Sequence, residues 1–212
     1  MRVGVLGSGV VGQTLAGGFL KHGHEVMIGS REPAKLEDWV RQHPGVHAGT
    51  PQETAAFGEL AVLAVKGTAA AAMLGIAGAL NLAGKAVIDA TNPIDDAPPV
   101  AGVLKFFTSL DESLMERLQN ELPQSHFVKA FNSVGSARMV DPKFAEGRPT
   151  MVICGNDHGA KVLAAGILDQ FGWDTEDMGE AAAARAIEPL CMLWCIPGFR
   201  HNQWSHAFKL LK

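Results

Sequence analysis

Short unbroken apolar runs alternate along this chain with segments whose apolar residues fall at helical spacing. Met1 to Leu6, Glu25 to Ile28, Val46 to Ala48, Leu60 to Val65, Lys85 to Asp89 and Phe127 to Phe131 each predict a strand. The continuous apolar character of Leu60 to Val65 is that of a parallel strand buried on both faces. Between these runs, Val10, Val11, Leu15, Phe19 and Leu20 form one side of a first helix. Pro33 to Gln42, Pro51 to Phe57, Thr68 to Leu80 and Leu110 to Leu122 predict four more, the third of these with Met73, Leu74, Ile76, Ala77 and Leu80 on its apolar face. Strict alternation of strand and helix predicts an α/β fold, a doubly wound parallel sheet. After Pro142 and Pro149 the alternation restarts on a smaller scale, with a strand at Thr150 to Cys154, a helix at Asp157 to Phe171 and a short strand at Trp173 to Asp177. A helical tail from Ala181 to Leu211, interrupted near Pro189 and Pro197-Gly198, completes the pattern. We therefore expect a larger domain over residues 1–142 and a small C-terminal α/β extension with a helical tail over residues 143–212.

The first strand runs into Gly7-Ser8-Gly9-Val10-Val11-Gly12. A strand that turns sharply into a helix needs a glycine at the turn, here Gly7. Gly9 lets a ligand's phosphates approach the backbone, and Gly12 lets helix and strand pack closely. The first N–H groups of such a helix have no intrahelical partners and lie at the positive end of its dipole, so they suit a pyrophosphate. The glycine spacing, the strand before it and the helix after it together predict a dinucleotide site. The competing reading is a glycine-rich loop that serves packing alone.

The second strand ends where a dinucleotide-binding protein selective for NAD offers a carboxylate to the ribose 2′-hydroxyl. This chain has Ser30 and Arg31 there instead. A hydroxyl and a guanidinium both donate to a 2′-phosphate that a carboxylate would repel, which predicts NADP(H) as the cofactor. Ser30 is equally placed to cap the next helix ahead of Pro33, with Arg31 a solvated charge.

Composition narrows the partners. The chain has 212 residues, 47% of them hydrophobic, enough for a sizeable core. Its formal net charge of −4 argues against nucleic acid or an anionic membrane as the main partner. No basic, apolar leader precedes the first strand and no stretch approaches a membrane span, so a cytoplasmic enzyme is expected. The three cysteines are odd in number and read as buried thiols, and none of the eight histidines joins a carboxylate or thiol at ligand spacing, so no metal is expected. The chain has no tyrosine, which excludes the Tyr-Lys proton-donor pair of short-chain reductases.

In an open parallel sheet the ligand lies beyond the carboxyl ends of the strands. That rule selects Lys66, Asn92 and Asn132-Ser133, each directly after a strand. Asn92 and Asn132 are neutral donors and acceptors suited to a carboxamide or ribose, or else ordinary turn formers. Lys66 is a handle for a phosphate or an anionic ring, or else a solvated loop lysine. Asp89 is expected to satisfy nearby backbone N–H groups. No residue is nominated as a catalytic acid or base, because hydride transfer between two bound cofactors depends on alignment and exclusion of water.

Met1 to Gly9, Gly23-His24, Gly29-Ser30-Arg31, Lys129-Ala130-Phe131-Asn132, Cys154-Gly155-Asn156 and Ile187-Glu188-Pro189-Leu190 resemble the NADP oxidoreductases that depend on the deazaflavin coenzyme F420. The resemblance spans nearly the whole chain. It implies a Rossmann domain followed by a small C-terminal domain, a homodimer, and reversible hydride transfer between NADPH and the deazaflavin. It also implies that Gly7, Ser8, Gly9, Val10, Val11 and Gly12 cradle the pyrophosphate while Ser30 and Arg31 hold the 2′-phosphate. The same motifs resemble the cytosolic domain of membrane-bound ferric reductases of the Steap type, in which NADPH passes a hydride to a flavin. Val65-Lys66-Gly67 departs from the deazaflavin reductases, which tend to place a proline and a bulky apolar residue there. The alternatives are therefore a flavin acceptor, an NADPH-dependent reductase of a small imine or carbonyl, and a non-enzymatic NADPH-sensing module.

Overall fold

Residues 1–212 are described by a computed structural model. Strands β1 (Arg2–Leu6), β2 (Glu25–Gly29), β3 (Val46–Gly49), β4 (Leu60–Leu63), β5 (Ala86–Asp89) and β6 (His126–Lys129) form one parallel sheet in the order β3-β2-β1-β4-β5-β6. The winding direction reverses between β1 and β4, and it is beside such a reversal that a ligand crevice opens. Helices α1 (Val10–Lys21), α2 (Glu37–Gln42), α3 (Pro51–Phe57), α4 (Ala70–Ala77), α5 (Ala79–Leu82) and α6 (Leu114–Glu121) supply the crossovers. Farther along, β7 (Thr150–Ile153) and β8 (Asp174–Asp177) pair in parallel around α7 (His158–Gln170), and α8 (Ala184–His201) follows. The doubly wound α/β sheet expected from the alternation is present.

Residues of one strand point alternately to the two faces, so each face builds its own core. On one face Val3, Val5, Val26, Ile28 and Val128 pack with Phe19 of α1 and with Ile167, Phe171 and Trp173. On the other, Leu6, Leu63, Val87 and Phe127 pack with Leu74, Met115, Leu118 and Ile187. Residues beyond Pro142 thus take part in both cores, and α7 lies against β5 and β6.

Several element ends differ from the sequence expectation for local reasons. The helix expected over Thr68 to Leu80 is broken at Gly78, which has φ +88, and Leu80, placed on its apolar face, is 89% exposed. The helix expected from Leu110 starts at Leu114. Ser113 caps it, its Oγ accepting from Glu116 N at 3.1 Å while Glu116 Oε2 accepts from Ser113 N at 2.8 Å. The segment from Pro33 opens as a 3₁₀ turn, Pro33–Leu36, before α2. β6 ends at Lys129 because Phe131 adopts φ +62.

The tail is the main correction. α8 runs unbroken through Pro189 and Pro197 and stops at Asn202, whose left-handed conformation caps it. Burial of Ile187, Cys191 and Trp194 outweighs the hydrogen bonds that the two prolines forfeit. Residues 203–212 are not helical. They lie along β7, with Thr150 N donating to Phe208 O at 2.8 Å and Leu210 N to Thr150 Oγ1 at 3.1 Å. The Trp194 indole donates to His206 O at 2.8 Å and fastens the same strap to α8.

Candidate functional site

Gly7 ends β1 with φ +131, and a Cβ there would lie 2.2 Å from Ala64 O. A Cβ on Gly12 would lie 1.9 Å from Gly7 O. Both residues are glycine because β1, β4 and α1 converge at this point. Gly9 has open space around its missing side chain, with nothing within 4 Å. It is the N-cap of α1, no side chain caps the helix, and no acidic residue occupies the first turn. The leading N–H groups of α1 are left for an anion.

In front of this helix end lies a cleft of about 610 Å3. Gly7, Ser8, Gly9, Val10 and Val11 form its base. Gly29, Ser30, Arg31, Glu32 and Lys35 form the wall at the end of β2. Ala64, Val65, Lys66 and the α4 residues Ala72, Met73 and Ile76 form the opposite wall, and Ala90 closes the far end. Gly12 lies beneath the base rather than on it.

Ser30 is buried and its Oγ accepts from Glu32 N at 3.1 Å, which makes a local turn and not the expected helix cap, since Glu32 is the N-cap of Pro33–Leu36 and no side chain caps that helix. Ser8 Oγ also reaches Ser30 Oγ at 3.4 Å, tying the glycine loop to the end of β2. Arg31 is exposed and makes no ion pair. Lys35, which sequence reasoning missed, lines the same wall and is held by Glu32 at 2.7 Å. The signal for it is a second cation four residues after Arg31, which the turn begun by Pro33 leaves on the same cleft. Lys66 lines the other wall, largely exposed, with Asp96 Oδ1 at 3.6 Å from its Nζ.

Asn92 and Asn132 are brought together, but not onto the cleft lining. Asn92 Nδ2 donates to Asn132 O at 2.8 Å, and Asn132 Nδ2 donates to Asn92 Oδ1 at 3.2 Å and to Ile187 O at 3.0 Å. They nevertheless abut the cleft, since Ala90 lines it and a Cβ on Gly67, next to Lys66, would lie 2.0 Å from Asn92 O. Asn132 Oδ1 is buried and has no partner.

Behind these loops is a charged cluster that the sequence did not disclose. Lys129 is fully buried, with Nζ 2.7 Å from Asp89 Oδ2 and 2.9 Å from Glu188 Oε1. Burial opposes its charge, but the two carboxylates outweigh burial and hold its pKa above the ordinary value. The signal was a lysine inside an apolar strand, since a charge there needs a partner. Asp89 does satisfy local donors as expected, its Oδ1 accepting from Thr91 N and Oγ1 at 2.9 and 2.7 Å.

The ionisable side chains on the cleft lining are Arg31, Glu32, Lys35 and Lys66. Such a cleft gathers cations and free helix N–H groups toward one end and aliphatic side chains toward the other.

The family model described as NADP oxidoreductase, coenzyme F420-dependent, matches residues 2–93. A crystal structure from Arthrobacter sp. FB24, provisionally named an F420-dependent NADP reductase, covers 100% of this chain and is itself covered 100%, at 35% identity and a TM-score of 0.94. This chain belongs to the F420-dependent NADP oxidoreductase family. Family and fold together make it an NADP-dependent oxidoreductase. Metalloreductase STEAP3 of Rattus norvegicus is 30% identical over 202 residues, which are 92% of this chain and 38% of that relative. The chain thus spans less than two fifths of that protein, and no helix in it is long and apolar enough to cross a membrane. An imine reductase of Streptomyces aurantiacus shares the fold, at a TM-score of 0.67 and 17% identity over 94% of this chain and 63% of that one.

Proposed function

We propose that this member of the F420-dependent NADP oxidoreductase family moves a hydride between NADPH and a planar redox cofactor, the deazaflavin coenzyme F420 ahead of a flavin. The observation that carries the reading is the division of the cleft. Its β2 wall presents Ser30, Arg31 and Lys35 to a 2′-phosphate, and its base presents the uncapped end of α1 to a pyrophosphate. The far end, at Ala90, is aliphatic apart from Lys66 on the adjoining wall, with Asn92 and Asn132 behind the lining.

The cavity fits NADPH on grounds of its own geometry. Gly9 leaves space where a side chain would block the phosphates, and Asn132 Oδ1 is a buried acceptor still lacking a donor. When bound, NADPH supplies the hydride. The chain's residues would then bind and orient it: Arg31 and Lys35 would hold the adenosine end, Val10 with the glycine loop the pyrophosphate, and Ala90 would border the nicotinamide end, with Asn132 behind it to accept from the carboxamide. Lys66 remains beside the acceptor. A homodimer and a cytoplasmic setting belong to the same proposal, the former supported by Leu193 and Phe199, apolar residues that α8 leaves exposed.

The test is to mix the protein with NADPH and oxidised F420 and follow loss of the coenzyme's visible absorbance, with riboflavin phosphate and NADH as comparisons. Bleaching with NADPH and not NADH is the expected result. Tight NADPH binding without bleaching of either acceptor would refute hydride transfer to a planar cofactor and favour a small-molecule reductase or a sensor.

A further inference from the structure

The carboxyl ends of β5 and β6 are joined to α8 in a closed circuit of polar contacts. Lys129 bridges Asp89 and Glu188 and donates to Thr91 O at 3.0 Å. Asn92 Nδ2 donates to Asn132 O, and Asn132 Nδ2 donates to Ile187 O. The chain itself closes the circuit between Asp89 and Asn92, between Lys129 and Asn132, and between Ile187 and Glu188. Glu188 is anchored further by Leu114 N and Met115 N, each at 3.0 Å, so the extra negative charge rests on the positive end of α6.

Two features of the circuit are not explained by stability. Phe131, between Lys129 and Asn132, is held at φ +62, a conformation that a bulky residue rarely adopts without a compensating demand. Asn132 spends its donor on the circuit and leaves its buried Oδ1 without one. An apolar core would hold these elements together equally well. A strained segment that holds an unfilled acceptor just behind the cleft, against the Asn92 loop that abuts it, fits ligand recognition instead.

We propose that Lys129 is a positioning residue for the nicotinamide half of the cofactor, acting through Asn132. By clamping Asp89 and Glu188 it sets the Ala90 to Asn92 segment and the height of α8, and so the place of Asn132 Oδ1, which takes an N–H of the nicotinamide carboxamide. The inference rests on the proposed use of NADPH.

The test separates the two halves of the ligand. Adenosine 2′,5′-bisphosphate probes the end at Arg31, and NADPH probes both ends. In Lys129→Met, and in Lys129→Met combined with Glu188→Gln, which keeps one net negative charge in the cluster, the bisphosphate binds as in the unmodified protein. NADPH binds about tenfold more weakly, the equivalent of one lost hydrogen bond, and its bound nicotinamide fluorescence becomes less polarised. Asn132→Ala gives the same loss, and combining it with Lys129→Met adds nothing further. Unchanged NADPH affinity, equal weakening of both ligands, loss of bisphosphate binding in both variants, or additive losses would each overturn the proposal by making the cluster merely structural. If the unmodified protein binds neither ligand, the NADPH reading fails first and this inference with it.

Discussion

Gly12 and Gly7 are in such close contact that a Cβ on the first would lie 1.9 Å from the carbonyl oxygen of the second. Gly9, between them, would carry a Cβ without touching any atom within 4 Å. The three glycines of the loop therefore answer to different demands, two to the fold and one to the ligand. Gly12→Ala is expected to lower the melting temperature, whereas Gly9→Val should melt normally and bind neither NADPH nor NADH. Thermal denaturation read beside a fluorescence titration checks both. Normal NADPH binding by Gly9→Val would place the pyrophosphate elsewhere.

Arg31 is unpaired at the β2 wall, and Lys35 is tied only to exposed Glu32. Arg31→Ala should weaken NADPH by roughly ten- to a hundredfold and leave NADH almost unchanged, the range expected for one charge-assisted contact. Lys35→Ala should act in the same direction and less strongly, because Glu32 already neutralises it. Equal losses for the two cofactors, measured as dissociation constants at fixed ionic strength, would remove the 2′-phosphate from this wall.

Glu116 is chelated by Arg185, whose Nη2 reaches Oε1 at 2.6 Å and whose Nε reaches Oε2 at 2.9 Å. Arg185 foremost, against the opposing effect of burial and with help from Ser113, brings its pKa from 4.5 down to about 2. A lowered folded-state pKa means that the folded protein holds this proton less readily than the unfolded chain. The stabilisation is complete above about pH 4.5 and disappears as the pH falls toward 2. Melting temperatures across that window should fall more steeply in the unmodified protein than in Glu116→Gln. Parallel curves would show that the ion pair contributes nothing.

The three cysteines should differ in reactivity. Burial pushes the Cys154 thiol up to about 12, and the neighbouring Cys195 thiol together with burial raises that of Cys191. Cys195 is less buried, and its neighbour Cys191 lowers its pKa. A disulfide reagent at pH 8 should modify one thiol quickly in the folded protein and the other two only on denaturation. Mass spectrometry of the labelled peptides identifies the site, and early labelling of Cys154 would contradict its burial.

Much of the cleft lining could be read from the sequence because its determinants are local. The glycine spacing, the strand before it and the Ser30-Arg31 pair each occupy a few consecutive residues, and their conformations follow from nearby sterics. Lys35 escaped because its place on the cleft depends on a 3₁₀ turn rather than on spacing alone. The circuit through Lys129 escaped for a deeper reason. Asp89, Thr91, Lys129 and Glu188 meet only once β5, β6 and α8 are assembled, and the one local sign, a lysine in an apolar run, does not name its partners. The prolines of α8 misled in the opposite sense, since a local breaker is overridden where the helix buries enough apolar surface.

The order of the sheet also governs how it is made. Its ladders are all parallel, so no pair of strands is closed by a hairpin, and β1, which precedes every other strand, lies in the middle between β2 and β4. The centre is complete only once Leu63 is available, and the edge only with β6. Folding must wait for contacts between distant segments, and until they form β1 and β4 remain unpaired apolar strands open to association with other chains. Conditions that slow crossover closure should therefore cost this protein yield before they cost it stability.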